Sequence, residues 1–405
     1  MNKSCKFYFS IVFLLFSFIA FAQNNIITIS GQILDKETKE PIVFASIYLK
    51  ERAIGTTSNE EGGFNFHFPS YRNSNTIIIS MIGYQSIEKS ADDFIDNQKI
   101  FLTSEVTSLD EVVITSTKKK ELTSKQIVKK AYKEIEKNYP TEPYILEGFV
   151  RDLQNEDGKY VEYLECAAKF YNKSHKIQTE PEVELVEIRR NYITTKNPWN
   201  KLWERKNSVI DLIEDDFIRF DYGPIKGKKG WKYEIESILP YNNRYVYKIK
   251  GIDKPFQKAI LYIDTETYAF VRMELTRTAY HGKSWKRRLT SGEQQMHYNV
   301  VFEYQEYKGK MYLKYQKEED TWQIFDMNEP NTLLFTKNPK KELFINKIVS
   351  EDIENYPFKK NMRIGSSLEN QEKEYNPEFW ATYNLPKQTE KGSKIVRELK
   401  KATTQ

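Results

Sequence analysis

The residue types that carry out most hydrolytic and metal chemistry are scarce in this chain. Its histidines are His67, His175, His281 and His297, and no two of them have the spacing of a metal-ligating pair. Cys166 lies in an alternating run, which predicts a small buried strand residue rather than a nucleophile. The sequence contains no phosphate-binding loop, no Gly-x-Ser-x-Gly and no His-Glu-x-x-His. We therefore expect a protein that is not an enzyme and that uses no metal and no cofactor.

Carboxylates, by contrast, are plentiful, and they are densest at Glu214–Asp216 and Glu318–Asp320. A glycosidase needs two carboxylates about 5 to 10 Å apart. A hydrolase with an unrecognised carboxylate pair is therefore one alternative function. Acidic runs beside turns are typically solvated faces, and we interpret both clusters in that way.

Basic and aromatic residues supply the remaining candidate contacts. Trp285, Arg287 and Arg288 belong to a basic cluster that could touch a lipid phosphate or an acidic glycan, although an exposed loop is the simpler interpretation. Trp199 and Trp203 are four residues apart on a predicted helix. They could stack on sugar rings or cap an apolar core.

The first residues predict export. Lys3 and Lys6 precede an apolar run from Phe7 to Phe21, so residues 1–22 resemble a secretory signal that is cleaved after Ala22. Cleavage would lower the net charge from +5 to about +3 because two lysines leave, and so small a bias does not imply nucleic-acid binding. No later run reaches the roughly 20 apolar residues of a membrane span. We expect a periplasmic or outer-membrane-associated protein with no transmembrane span after cleavage.

Residues 23–105 are predicted to form a small all-β domain, because short apolar runs alternate with turn clusters. The segments that characterise it are Gly31–Asp35, Pro41–Ile47, Gly55–Asn59, Gly62–Phe64 and Ile82–Tyr84. They resemble the carboxypeptidase regulatory-like domain, and this resemblance implies a seven-stranded, transthyretin-like β-sandwich. The zinc and catalytic residues of those enzymes belong to a different domain, which has no counterpart in this sequence.

Polar residues at the turns of this domain have two interpretations. Asp35, Asn59 and Glu60 could form a calcium or sugar site. Asp and Asn side chains in turns more often bond to their own backbone, and we favour that turn chemistry.

A linker is predicted at residues 106–122. Within it, Asp110 to Thr115 resembles the TonB box of outer-membrane receptors, and Val112 and Val113 would then pair with a TonB-like partner. The receptor plug and barrel do not follow, because no series of alternating barrel spans is present. A plain strand or linker is the favoured interpretation.

An amphipathic helix is predicted at residues 123–140, where Thr123-Ser124-Lys125-Gln126 has the pattern of a capping box. A second helix is predicted from Pro198 to Ile218. Between and beyond these helices, residues 144–350 contain long alternating runs, which predict a large curved antiparallel sheet. Its hairpins turn at Asp264–Thr267 and Lys308-Gly309.

The hairpin around Asp264 resembles those of LolA-like half-barrels, which implies a sheet that holds an apolar ligand. Phe302 and Leu313 would then be ligand contacts if part of the sheet face stays open, although the helices could equally close it. Residues 351–405 are expected to be a C-terminal tail with a short helix.

Together these patterns predict a mainly β protein: an N-terminal seven-stranded sandwich, a linker helix, and a large curved antiparallel sheet with a few helices. The favoured function is binding of an apolar ligand, a lipid or an envelope protein. A carbohydrate-binding accessory protein of an outer-membrane uptake system and a hydrolase are the alternatives.

Overall fold

The chain is mainly β, as predicted. The computed structural model describes residues 26–70, 75–105, 122–176, 182–193, 207–214, 216–221, 223–227, 230–279, 287–288, 292–326, 328–329, 332–363, 365–371 and 373–403. The predicted signal at residues 1–22 and the TonB-box-like segment lie outside these ranges, so both remain predictions.

The N-terminal part is a sandwich of seven strands, which confirms the expected architecture. Its sheets have the orders β4-β1-β7 and β3-β2-β5-β6. Phe64, Phe66 and Phe68 alternate along β4 and fill the space between the sheets together with Ile47 and Ile79. The strands are β1 Ile26–Asp35, β2 Ser46–Leu49, β3 Gly55–Thr57, β4 Gly63–Pro69, β5 Thr76–Ser80, β6 Ile87–Ser90 and β7 Gln98–Leu102.

Turn chemistry accounts for Asp35 and Asn59. Asp35 Oδ1 accepts hydrogen bonds from the backbone N–H groups of Glu37 and Thr38, each at 2.8 Å. Asn59 Oδ1 accepts from the backbone of Glu61 and of Gly63 at 2.9 and 2.8 Å. Both side chains therefore stabilise tight turns, as the favoured interpretation predicts.

The rest of the chain builds one antiparallel sheet of twelve strands. Its central order is β10-β9-β8-β19-β17-β16-β14-β13-β12-β11, with β18 beside β17 and β8 and the two-residue β15 beside β16. The strands are β8 Tyr144–Glu156, β9 Lys159–Asn172, β10 Glu182–Tyr192, β11 Lys232–Tyr241, β12 Arg244–Lys254, β13 Gln257–Asp264, β14 Phe270–Thr278, β15 Arg287–Arg288, β16 Glu293–Tyr307, β17 Lys310–Phe325, β18 Leu333–Lys337 and β19 Lys340–Val349.

Both predicted hairpins are present. β13 and β14 flank the turn that follows Asp264, and β16 and β17 flank Lys308-Gly309. Lys308 and Gly309 both have positive φ, at 50° and 74°. This is the backbone geometry of the two-residue turn whose twist matches that of paired strands.

Short helices accompany the sheet: α1 Ser124–Lys133, α2 Ile135–Asn138, α3 Ser208–Glu214, α4 Phe217–Phe220, α5 Pro377–Thr382 and α6 Glu390–Thr403. Single 3₁₀ turns occur at Ala91–Asp93, Gly223–Lys226, Ile353–Asn355 and Leu368–Gln371. None of the helices in the described residues is both long and apolar enough to cross a membrane.

Both predicted helices are divided in the structure. The helix expected at residues 123–140 is present as α1 and α2, and the capping box at Thr123 is formed. The prediction of one helix up to Ile218 was wrong in its described part, because Asp216 has non-helical backbone between α3 and α4. Its side chain caps α4 instead of continuing α3.

Each face of the large sheet is covered near its middle. One face, which we call inner, is covered by the helices. Its strand side chains pack against Ile127 of α1, Ile213 of α3 and Phe217 of α4. On the opposite, outer face, Trp380 of α5 and Phe44 of the sandwich pack on sheet residues. The helical cover on the inner face, formed by α1 to α4, decides whether a ligand could reach the sheet.

Candidate functional site

A small cavity lies between the inner face and the helical cover, where the two largest core clusters meet. Its volume is about 30 Å³, which is room for one or two water molecules. The apolar part of its wall includes Leu146, Phe170, Ile213, Ile218, Met311 and Leu313. The polar part includes Asn172, His175, Asp216, Arg219 and Tyr304.

Asp216 organises the polar end from the helical side. Its Oδ1 accepts hydrogen bonds from the backbone of Ile218 at 2.9 Å and of Arg219 at 3.3 Å, which starts α4. The same oxygen accepts from the Tyr304 hydroxyl at 2.7 Å and so ties α4 to strand β16. Burial raises the pKa of Asp216 above its ordinary value, and the hydrogen bond from Tyr304 opposes that rise.

Arg219 is the buried cation of the site. Only 8 % of its surface is exposed, and one of its terminal nitrogens, Nη1, donates to Asn172 Oδ1 at 2.6 Å. Its Nε–H has no hydrogen-bond partner among the described residues. A buried donor that is left without a partner costs about 1 to 3 kcal/mol, so this atom has unused capacity for a ligand or a water molecule.

His175 faces the same cavity from the segment after β9, with 4 % of its surface exposed. Its Nδ1 lies 2.8 Å from the Pro140 carbonyl oxygen. Because a carbonyl only accepts, Nδ1 must carry the proton. Burial lowers the pKa of His175, so the ring is neutral and Nε2 presents a lone pair. Nε2 also has no partner among the described residues.

The walls of the cavity are held by tyrosines. The Tyr139 hydroxyl donates to the Phe270 carbonyl at 2.8 Å, and its ring meets the Tyr304 ring edge-on with centroids 5.4 Å apart. These contacts join the end of α2 to strands β14 and β16. The arrangement can bind and orient a small polar group, and the described residues that line the cavity include no nucleophile with a paired base.

Few of the residues that the sequence singles out lie at this cavity. Leu313 lines it, whereas Phe302 is fully buried in the neighbouring core with its ring centroid 4.7 Å from that of Phe217. Arg287 and Arg288 form β15, and the structure describes only their backbone. The other candidates lie outside the described residues: Val112, Val113, Trp199, Trp203 and Trp285.

His175 and Arg219 were not identified from the sequence. His175 stands in a polar stretch without a motif, so no local pattern marks it. Arg219 had a usable signal, because it is a lone cation in the apolar run Phe217-Ile218-Arg219-Phe220. A charged residue within such a run is seldom buried unless it is paired or functional.

The interpretation of Glu318–Asp320 as a solvated face was wrong. Glu318 and Asp320 are only 6 % and 8 % exposed. Lys341 Nζ donates to Glu318 at 3.2 Å and to Asp211 of α3 at 2.9 Å, and Gln295 Nε2 donates to Asp320 at 2.7 Å. Long-range neighbours bury this run, because β19 and α3 pack across it.

One proton links the two carboxylates. Burial first, and then the negative charge of Glu318, raise the pKa of Asp320 to about 7. Protonated Asp320 is hydrogen-bonded to Glu318. This pair is engaged by Lys341 and Gln295 and does not line the cavity described above.

Comparison with known proteins identifies the first part of the chain. Residues 29–114 match the CarboxypepD_reg-like domain. The N-terminal sandwich is a carboxypeptidase regulatory-like domain. The chain as a whole has no match among curated proteins.

Solved structures are similar to the remainder at low identity. A LolA superfamily protein from Nitrosomonas europaea is 9 % identical over 57 % of this chain and 96 % of that chain, with a TM-score of 0.25. A putative outer membrane lipoprotein-sorting protein domain from Vibrio parahaemolyticus is 11 % identical over 57 % and 94 %, with a TM-score of 0.24. A DUF1329 family protein from Desulfovibrio piger is 8 % identical over 57 % and 95 %, with a TM-score of 0.27.

Proposed function

We propose that this is a non-enzymatic envelope protein that binds an apolar chain between the inner face of its large sheet and the helical cover. The observation that carries the proposal is the cavity at the junction of the two core clusters, which has apolar walls on both sides and a polar end. Export to the periplasm or the outer membrane, inferred from residues 1–22, belongs to the same proposal.

The cover over the cavity is suited to opening. α3 has seven residues and α4 has four, and isolated helices shorter than about 12 residues are marginal in water. Their stability therefore comes from packing on the sheet. An apolar chain that replaced part of this packing would offset its loss, because each 100 Å² of buried apolar surface contributes roughly 2.5 kcal/mol.

Opening is required, since a cavity of about 30 Å³ is far smaller than the 300 to 1,000 Å³ of typical ligand pockets. A bound chain would displace α3 outward and widen the cavity along Leu313 and Met311, while the hydrogen bond from Tyr304 to Asp216 keeps α4 in place. The regulatory-like domain lies on the outer face, where Phe44 meets Tyr315, so this movement would leave it in place.

Uptake of methyl palmitate tests the proposal, because this probe has a long apolar chain and no charge. Native mass spectrometry should show a one-to-one complex with the full chain. Leu313→Phe should weaken it about tenfold or more, since the larger ring occupies the cavity. Leu334→Phe makes the same change at a residue that is 39 % exposed on β18 and should leave binding unchanged.

Two results would count against this function. One is the absence of a complex at any accessible ligand concentration. The other is an equal loss of binding in Leu313→Phe and Leu334→Phe, which would indicate nonspecific adsorption to exposed apolar surface.

A further inference from the structure

Two buried polar atoms at the cavity have complementary hydrogen-bonding roles. Arg219 Nε–H is a donor and His175 Nε2 is an acceptor, and both lack a partner among the described residues. Their side chains are more than nine-tenths buried and line the same small space. Asp216 Oδ1 accepts from Ile218, Arg219 and Tyr304, through two backbone N–H groups and one hydroxyl, and none of these donors is Arg219 Nε–H.

A carboxylic acid group matches this pair. It presents one oxygen that accepts and one O–H that donates, and the two oxygens diverge from a single carbon. A methyl ester retains the acceptor and loses the donor, so it would satisfy Arg219 and leave His175 without a partner. The small volume of the cavity suits a head group of this size at its polar end.

We infer that the cavity receives the carboxylic acid group of an acyl-chain ligand, with Arg219 Nε–H donating to its carbonyl oxygen and its hydroxyl donating to His175 Nε2. This inference rests on the proposed function, because the acyl chain would occupy the space beneath α3 and α4. The ligand is therefore a free fatty acid rather than an ester or a triglyceride.

The charges around the cavity predict that the affinity for the acid depends on pH. The cavity already holds Asp216 and Arg219, and Lys176 and Glu136 act on His175 from nearby. A fatty acid that is ionised in solution must enter with one added proton, which is held between its carboxylate and His175 Nε2. Binding should therefore take up one proton, and the affinity should fall up to tenfold per pH unit as the pH rises above the pKa of the free acid.

Isothermal titration of the full chain with palmitic acid and with methyl palmitate tests the assignment. Palmitic acid should bind at least about tenfold more tightly near neutral pH, and its binding enthalpy should vary with the ionisation enthalpy of the buffer. His175→Phe should remove most of this preference while methyl palmitate still binds, whereas Arg219→Gln should weaken the binding of both ligands, because both present a carbonyl oxygen to Arg219. Arg189→Gln, on the outer face beside Trp380, should retain the preference.

The outcomes separate the two claims. Equal affinity of the wild-type protein for the acid and the ester would overturn the head-group assignment and leave the proposed function standing. Failure of both ligands to bind would overturn both, and buried water would then be the partner of these two atoms. The wild-type comparison needs no substitution, so it decides the matter even where a variant folds poorly.

Discussion

At the scale of single residues, burial determines the direction in which the pKa values of several polar groups shift. The same desolvation raises the pKa of Asp216 and of Asp320 and lowers that of His175. For an acid burial favours the neutral, protonated form, and for an imidazole it favours the neutral, deprotonated form. The titrations of Asp320 and of His175 therefore have opposite consequences for stability: rising pH removes the contribution of Asp320, whereas falling pH removes that of His175.

Asp320 gives a testable pH dependence of stability. Its pKa rises from 3.8 in the unfolded chain to about 7 in the folded protein, so the folded state binds the proton more tightly. Its stabilising contribution is complete below about pH 4, declines as the pH rises, and is lost above about pH 7. Asp320→Asn should flatten the pH dependence of the urea midpoint in this window, because the amide can donate to Glu318 and accept from Gln295 without titrating.

Glu319→Gln is the matched control for this experiment. Glu319 lies between the two buried carboxylates in sequence, but its side chain is 38 % exposed and pairs with Lys317. The control should follow the wild-type profile. If the urea midpoint of Asp320→Asn depended on pH as steeply as that of the wild type, the proton on Asp320 would not contribute to stability.

At the scale of elements, the helical cover depends on local capping as well as on packing. α1 begins with a complete capping box. The side chain of Thr123 accepts a hydrogen bond from the backbone N–H of Gln126, and the side chain of Gln126 accepts one from the backbone N–H of Thr123. Ile127, Val128 and Ala131 then pack on the sheet. α3 and α4 are too short to persist alone, but α4 is also tied to β16 by the hydrogen bond from Tyr304 to Asp216. The cover should therefore open first at α3.

The cap of α1 can be tested without touching the core. Thr123→Ala removes the hydroxyl that accepts from the Gln126 backbone and should lower the free energy of unfolding by about 1 kcal/mol. Hydrogen exchange should become faster in the first turn of α1. Thr123→Ser keeps the cap and should stay within about 0.5 kcal/mol of the wild type; a loss as large as that of the alanine variant would contradict the role of the cap.

At the scale of the whole molecule, the regulatory-like domain is docked on the outer face rather than suspended on a linker. Phe44 lies with its ring centroid 4.6 Å from that of Tyr315 and 6.2 Å from that of Phe344. Its φ is +59°, which is rare for a bulky residue. Lys340 pairs with Glu60 at 2.6 Å, and Lys314, buried beside Glu303, donates to Ser46.

The docking contact of Phe44 can be measured by calorimetry. Phe44→Gly relieves the strained φ but removes the ring, so the net loss should be about 2 kcal/mol of the free energy of unfolding. The thermal transition should broaden or split, because the domain and the sheet are less strongly coupled. Phe101→Ala, at a residue that is 39 % exposed on β7, should change stability much less. Equal effects of the two substitutions would refute the docking role.

Much of the fold could be predicted because its signals are local. The turns at Asp35 and Asn59, the capping box at Thr123 and the Lys308-Gly309 hairpin are decided by residues close together in the chain. Alternation along a strand is also local, and Cys166 is buried on β9 as its context predicts. These signals were sufficient for the sandwich, the large antiparallel sheet and its hairpins.

Which residues form the candidate site depends on the tertiary structure alone. Alternation shows that a strand has two faces, but what covers each face depends on segments distant in sequence. Phe302 is closed off by Phe217, and Glu318 and Asp320 are buried because Lys341 and α3 pack beside them. His175 and Arg219 meet at one cavity only because β9 and α4 converge on the inner face. Burial and hydrogen-bond partners are properties of the packed chain, so the residues that acquire unusual chemistry here were set by long-range contacts.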